Sequence, residues 1–203
     1  MPERRILILF GTRYGHTGRV AEKLAAGLRT RGYPVDLERV DRLGSDFSLA
    51  RYGAVLLGGS VYRGRFQREL RRFVASNKDA LSRLPSAFFS VGLAVASKLP
   101  KDQRAAREDL ERFVEETGWR PPSVGFIAGA LGYTGYNPLL KLLMRLVTRS
   151  LGAKDLGRDY VFTDWTAVGH FADGFADMLE QLPIPPEQPW IPPRVAPPEP
   201  PQA

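Results

Sequence analysis

The chain has 203 residues, of which 43% are hydrophobic and 25% charged, a balance that argues against intrinsic disorder and fibrous structure. This length allows one α/β domain with a substantial core. No cysteine is present, which excludes disulfides, cysteine-ligated zinc, iron–sulfur clusters and thiol chemistry. The net charge of +7 favours anionic partners, namely nucleic acid, acidic lipid or a carboxylate-bearing substrate.

Two further features bear on metals and membranes. His16 and His170 are the two histidines of the chain, too few for a histidine-rich metal site, and we expect no metal. The first residues lead into an apolar strand without the features of a secretory signal. No run of about 18 apolar residues is present, so we expect no spanning helix. The sequence therefore predicts a cytoplasmic protein, with membrane contact limited to peripheral binding at the inner face of the cell membrane.

Apolar strand-like runs alternate with amphipathic helix-like stretches from the first residues onward. This alternation is typical of βαβ units around a parallel sheet. Gly32 and Gly118 fit as helix stops. The predicted strands are 5–10, 33–40, 54–59, 87–93 and 124–131, and the predicted helices between them are 17–30, 66–80 and 102–117.

The alternation is interrupted over 132–158, before a short predicted strand at 159–163 and a final helix at 165–182. We interpret 132–158 as an insertion in the last strand of one domain that spans 1–182. Residues 183–203 contain ten of the seventeen prolines, a composition that predicts a disordered tail. A polyproline ligand for a partner domain is the alternative interpretation of this tail.

The loop after the first strand is where an open α/β sheet is expected to bind a ligand. It reads Gly11-Thr12-Arg13-Tyr14-Gly15-His16-Thr17. Small residues let backbone amides approach a phosphate, Thr12 and Thr17 add hydroxyl donors, and the positive end of the next helix favours an anion. The lysine of a P-loop and the three glycines of a dinucleotide fingerprint are missing, which favours a flavin monophosphate. An ordinary turn in which Thr17 only caps the helix is the alternative.

Several stretches carry a resemblance to known proteins. The first is Ile8-Leu9-Phe10-x-Thr12-x-x-Gly15-x-Thr17-x-x-x-Ala21-x-x-Leu24, which resembles the flavodoxin signature at every specified position. Four others, at 58–64, 85–91, 129–133 and 160–165, resemble one branch of that family, the flavodoxin-like, menaquinone-dependent protoporphyrinogen IX dehydrogenases. The resemblance covers roughly residues 5 to 180 and leaves out the proline-rich tail.

This resemblance implies a flavodoxin-like three-layer α/β sandwich with a five-stranded parallel sheet and FMN held by three loops. One aromatic residue, Tyr62, is the candidate for stacking on the isoalloxazine, and surface packing is its alternative. The residues implied in FMN binding are Thr12, Arg13, Tyr14, Gly15, His16 and Thr17 at the phosphate, Ser60, Val61, Tyr62, Arg63 and Gly64 on one side of the ring, and Gly92, Leu93 and Ala94 in the loop 92–96 on the other.

Basic residues supply the candidates for contact with substrate or membrane. Arg63 and Arg65 flank Tyr62 and are candidates for attracting substrate carboxylates, with solvated arginines as the alternative. The helix-like run 138–151 places Lys141, Arg145 and Arg149 along one stripe, as in a cationic amphipathic helix lying in a membrane interface. Packing of its apolar face on the domain, or on a second copy in a homo-oligomer, is the alternative.

The expected function is FMN-dependent oxidation of protoporphyrinogen IX, a step of heme biosynthesis, with menaquinone or another membrane quinone as acceptor. No acid–base residue is assigned, because the sequence offers no carboxylate or histidine in an obvious catalytic pairing. A flavodoxin-like quinone reductase with another donor is one alternative. A flavodoxin electron carrier is another, although the charge of +7 argues against the acidic docking face that such carriers use. No nucleic-acid recognition motif is present, and we expect no nucleic-acid partner.

Overall fold

The computed structural model describes residues 4–97, 99–131 and 160–183. Five parallel strands form its central sheet in the order β2-β1-β3-β4-β5. The central strands are continuous apolar runs because helices cover both faces of the sheet. The strands are β1 (Ile6–Gly11), β2 (Val35–Arg39), β3 (Ala54–Ser60), β4 (Ser86–Gly92) and β5 (Val124–Ala128).

Helices lie in two layers, one on each face of the sheet. The first and last helices share one hydrophobic core with the sheet, and the second and fourth helices share the other. Two of the helices end at glycines in left-handed conformation, Gly32 with φ +84° and Gly118 with φ +69°, as the sequence predicted. The helices are α1 (His16–Thr30), α2 (Arg68–Arg83), α3 (Leu93–Ala96), α4 (Pro100–Thr117) and α5 (Trp165–Glu180).

The strand register brings the carboxyl ends of neighbouring strands to one edge of the sheet. Gly11 at the end of β1 pairs with Gly59 of β3, and Ser60 pairs with Val91 of β4. The loops that follow β1, β3 and β4 therefore start side by side, which is where ligands bind in open α/β sheets.

The last part of the sheet differs from the prediction. The predicted strand 124–131 is broken at Gly129, whose amide donates to the Gly92 carbonyl at 3.1 Å. Beyond this break, β6 (Ala130–Leu131) pairs antiparallel with β7 (Tyr160–Val161) in a separate two-stranded ribbon. The chain thus leaves the parallel sheet because a glycine backbone packs against Gly92, where a Cβ would lie 3.4 Å from that residue's carbonyl carbon.

Two predicted features lie outside the described residues, namely the amphipathic run 138–151 within the insertion 132–158 and the proline-rich tail from 184 onward. Within the described part of the chain, no helix is both long and apolar enough to span a bilayer.

Candidate functional site

The phosphate loop is a tight turn between β1 and α1. Gly15 has a left-handed backbone with φ +84°, and its amide donates to Thr12 Oγ1 at 3.0 Å. The Gly15 carbonyl in turn accepts from the amides of Gly18 and Arg19 at 3.0 and 3.4 Å. Because a side chain is strained at this φ, the glycine is what allows the loop to close on itself before the helix begins.

The donors at the start of α1 suit a phosphate. A helix start leaves its first amides, here those of His16 and Thr17, without a carbonyl acceptor. Thr17 is only 1% exposed, and its hydroxyl has no hydrogen-bond partner among the described residues. The first turn of α1 contains no acidic residue. A small loop with unused donors at the positive end of a helix fits a phosphate group.

Gln67 joins the loop after β3 to the end of β1. Its Nε2 donates to the carbonyl of Ser60 at 3.0 Å and to the Ser60 hydroxyl at 2.6 Å. A Cβ at Gly11 would lie 2.7 Å from the Gln67 amide oxygen, so this glycine is required for the close approach. Gln67 was not predicted from the sequence, since a single glutamine at the start of a helix belongs to no motif.

Residues 62–65 form a two-residue hairpin turn. The amide of Tyr62 donates to the Arg65 carbonyl at 2.9 Å, and the amide of Arg65 donates back to Tyr62 at 3.2 Å. The two central residues, Arg63 and Gly64, have φ of +50° and +75°, as such turns require. The Gly64 carbonyl accepts from the Arg112 guanidinium of α4. The hairpin is therefore fixed on the α4 side, while Tyr62 and Arg63 remain on the side of the phosphate loop.

The ring of Tyr62 is in contact with the phosphate loop. The Arg13 guanidinium carbon lies 3.9 Å from the Tyr62 ring centroid, and the Arg63 guanidinium carbon lies 5.4 Å from it. Tyr14 meets the same ring edge-on at a centroid distance of 6.3 Å. The aromatic face that the sequence analysis proposed for stacking on a flavin is thus covered by Arg13 in this structure.

The segment after β4 corrects one expectation. Residues 93–96, predicted as a loop, form the single helical turn α3, which includes Leu93 and Ala94. The turn is fixed because the Ser97 hydroxyl donates to the Asp102 carboxylate at 2.5 Å. Gly92, at the end of β4, lies between Val61 and Gly129. The three predicted loops therefore meet at this edge, the third of them as a helical turn.

His16 is in contact with Thr163, which follows the insertion in the sequence. Its Nε2 lies 2.6 Å from Thr163 Oγ1, and that hydroxyl donates to the Ala128 carbonyl at 2.7 Å. Since the hydroxyl proton is used, Nε2 carries the proton that His16 donates. Burial, and after it the charge of Arg19, lower the pKa of His16 below its usual 6.5. His16 is a neutral anchor near neutral pH. Thr163 belongs to the stretch 160–165 that carries the family resemblance, but the sequence assigned it no role.

The remaining predicted site residues have no described geometry. Lys141, Arg145 and Arg149 lie within the undescribed stretch 132–159. Among the residues that the structure describes, no group of three or more His, Asp or Glu side chains is arranged to hold a metal ion.

Comparison with known sequences identifies the family of the chain. A family model of the flavodoxin domain matches residues 7–156. A protein of Leishmania major named protoporphyrinogen IX dehydrogenase (quinone) is 35% identical over 187 residues, which cover 90% of this chain and 78% of that protein. A protein of Escherichia coli K12 with the same name is 32% identical over 178 residues, which cover 87% of this chain and 97% of that protein.

Comparison with solved structures addresses the fold alone. The oxidised flavodoxin 1 of Bacillus cereus superposes with a TM-score of 0.53 at 11% identity, covering 88% of this chain and 99% of that one. The rubredoxin:oxygen oxidoreductase of Desulfovibrio gigas gives a TM-score of 0.54 at 12% identity, covering 88% of this chain and 37% of that one. The predicted α/β architecture with a five-stranded parallel sheet is confirmed.

Proposed function

Since the chain belongs to the flavodoxin domain family, in the branch of its relatives named protoporphyrinogen IX dehydrogenase (quinone), we propose that it is an FMN-dependent oxidoreductase. Its donor is protoporphyrinogen IX, which it oxidises to protoporphyrin IX, and its acceptor is a membrane quinone. Menaquinone is the acceptor that we propose first. Similarity to these relatives over about nine tenths of the chain is the observation that carries the proposal.

The residues of the site have separate tasks in this reaction. FMN, when bound, supplies the two-electron chemistry. The Thr12 and Thr17 hydroxyls and the first amides of α1 would hold its phosphate by hydrogen bonds, and Gly15 shapes the loop that presents them. The hairpin after β3 and the turn after β4 follow neighbouring strands, and in this proposal they would orient the flat ring from its two sides and exclude water.

No described residue is assigned as a general acid or base. His16, the histidine in the phosphate loop, already uses Nε2 in its bond to Thr163, and its pKa is lowered by burial. The protein contributes binding and orientation, and the cofactor contributes the redox chemistry. The insertion with Lys141, Arg145 and Arg149 is our proposed contact with the membrane in which the quinone resides.

The deciding experiment measures porphyrin fluorescence from protoporphyrinogen IX mixed anaerobically with FMN-loaded protein, with and without a menaquinone analogue. A protein-free sample controls for spontaneous oxidation. We expect porphyrin to form faster than in that sample only when quinone is present. A protein that binds FMN but does not accelerate the reaction would instead be a quinone reductase with another donor, or an electron carrier.

The cofactor assignment has its own test. Thr17→Val removes the hydroxyl that has no described partner, and Gly15→Leu places a side chain at a φ of +84°. Both variants should bind FMN more weakly, as measured by quenching of flavin fluorescence on titration with protein. Unchanged affinity in both variants would remove the phosphate-loop assignment.

A further inference from the structure

We propose that Arg13 and Arg63 form a carboxylate-binding pair around the ring of Tyr62 and receive the two propionate groups of a tetrapyrrole substrate. This inference rests on the proposed function and adds to it a site for the acidic groups of the donor. It replaces the pair expected from the sequence, Arg63 and Arg65, and it assigns Arg13 and Arg63 to the donor instead of to FMN, the role that the family resemblance implied for them.

The pair is defined by its shared ring and by the absence of an ion pair to either arginine among the described residues. Both guanidinium carbons lie within 5.4 Å of the Tyr62 ring centroid. Neither guanidinium forms an ion pair with a carboxylate among the described residues. Arg65 differs, since its guanidinium lies 3.6 Å from the Glu116 carboxylate of α4. The Nε of Arg13 donates to the Tyr14 hydroxyl at 3.3 Å. The other guanidinium nitrogens of Arg13 and the guanidinium of Arg63 are therefore available to an external anion.

Stacking prepares an arginine for this task. A guanidinium that lies on an aromatic face keeps the N–H groups of its edge free for a carboxylate in the same plane. The ring also limits the conformations of the side chain, so that less entropy is lost when a ligand binds. Two cations beside one ring repel each other in the free protein, and a ligand with two carboxylates would relieve this repulsion.

The backbone of the hairpin adds an independent observation. Arg63 has a φ of +50°, and it is the described non-glycine residue with a positive φ. A side chain is strained at this φ, whereas glycine would not be. Arg112 and Glu116 fix the neighbouring residues Gly64 and Arg65 to α4. The hairpin thus holds an arginine in an unfavourable conformation at the position next to Tyr62, where its side chain can reach a ligand.

The position of the pair agrees with the geometry that the reaction needs. Arg13 belongs to the loop that holds the phosphate, and Arg63 belongs to the loop on one side of the proposed ring site. Carboxylates bound between these loops would hold a macrocycle against the same edge of the sheet as the cofactor. The proposal therefore concerns orientation of the donor and assigns no catalytic step to either arginine.

The test compares protoporphyrin IX with its dimethyl ester, in which both carboxylates are masked. Binding of each to FMN-loaded protein is measured by the change in porphyrin fluorescence, so that no turnover is required. We expect the diacid to bind more tightly than the ester. Arg13→Gln and Arg63→Gln should each weaken diacid binding about tenfold and leave ester binding unchanged.

Two variants control for general charge effects. Arg72→Gln removes an exposed charge from α2, and Arg65→Gln removes the hairpin arginine that is paired with Glu116. Both should lose much less diacid affinity than the proposed pair. Equal binding of diacid and ester by the unmodified protein, or equal losses in all four variants, would overturn the proposal.

A third measurement separates this site from the cofactor site and from the proposed reaction. FMN affinity of Arg13→Gln and Arg63→Gln should change far less than diacid affinity. Weaker FMN binding with normal diacid binding would assign these arginines to the phosphate and overturn the pair. A protein that binds the diacid through Arg13 and Arg63 but does not oxidise protoporphyrinogen IX would refute the proposed function while supporting the binding site.

Discussion

The two helical layers are built from different side chains. The layer of α1 and α5 meets the sheet largely through small and aliphatic residues, and a Cβ at Gly27 of α1 would lie 3.1 Å from the Cβ of Ala172 of α5. The layer of α2 and α4, here called the aromatic layer, contains aliphatic residues as well, but four of its buried rings contact one another. The rings in that second core are Phe66, Phe88, Phe113 and Trp119.

This difference matters for the site because each layer supports a different loop. The phosphate loop leads into α1, so its position depends on how closely α1 can approach α5. The Tyr62 hairpin is tied to α4, which packs on the aromatic rings. We therefore expect truncation of a buried side chain to destabilise the protein most in the aromatic layer. Enlargement of a buried side chain should matter most in the layer of α1 and α5, here called the small-residue layer.

The largest expected effect comes from Phe88→Ala. The Phe88 ring is fully buried, with ring centroids 4.9 Å from Phe113 and 5.2 Å from Phe66. Its removal leaves a cavity among rigid rings, and the free energy of unfolding should fall by about 4 kcal/mol. Urea unfolding followed by circular dichroism measures the loss. Phe88→Leu, which keeps much of the volume, should lose clearly less, and equal losses would argue against a tightly packed aromatic layer.

A polar contact in the opposite layer gives the next effect. Arg4 is 7% exposed, and its guanidinium donates to the carbonyls of Leu179 at 2.8 Å and Pro183 at 2.6 Å, at the end of α5. Arg4→Met keeps the apolar stem but leaves these carbonyls without the charged donor. Stability should fall by about 2–3 kcal/mol. The neighbouring Arg5, exposed and paired with Asp36, provides the control Arg5→Met, which should cost much less.

Enlargement tests the small-residue layer directly. Ala172 is buried against Gly27, and Ala172→Leu should separate α1 from α5 and destabilise the protein by about 1–2 kcal/mol. Because α1 carries the phosphate donors, FMN affinity should fall as well. Ala167→Leu, at an exposed position of the same helix, is the matched control. A stable Ala172→Leu variant with normal FMN affinity would show that the two helices are not closely coupled.

The sequence predicted the fold well because the signals for it are local. Apolar runs and glycine stops located most of the described helices and strands within a few residues. The phosphate loop could be predicted since strand, small residues, hydroxyls and helix start are adjacent in the chain. Patterns of this kind need no knowledge of tertiary contacts.

Contacts between distant residues were not predictable in the same way. Thr163 meets His16 across 147 residues of sequence, and nothing in either local pattern indicates the pairing. The break at Gly129 depends on the backbone of Gly92, and the cation over Tyr62 comes from Arg13 in another loop. In each case the partner is set by strand register and loop geometry, which single-sequence patterns do not contain.

The smallest predicted effect concerns His16, whose hydrogen bond to Thr163 joins the phosphate loop to the segment just before α5. Burial and the charge of Arg19 lower its pKa in the folded protein, so the unfolded chain binds a proton more readily. Stability should therefore be complete above about pH 6.5 and decrease as the pH falls from there to the lowered folded-state pKa. His16→Gln should flatten this part of the profile, measured by urea unfolding between about pH 5 and 7.5. His170→Gln removes the other histidine, which is exposed on α5, and the difference between the two variants isolates His16. An unchanged slope in His16→Gln would mean that the buried ring does not resist protonation, and the anchor would then depend on the Thr163 hydrogen bond alone.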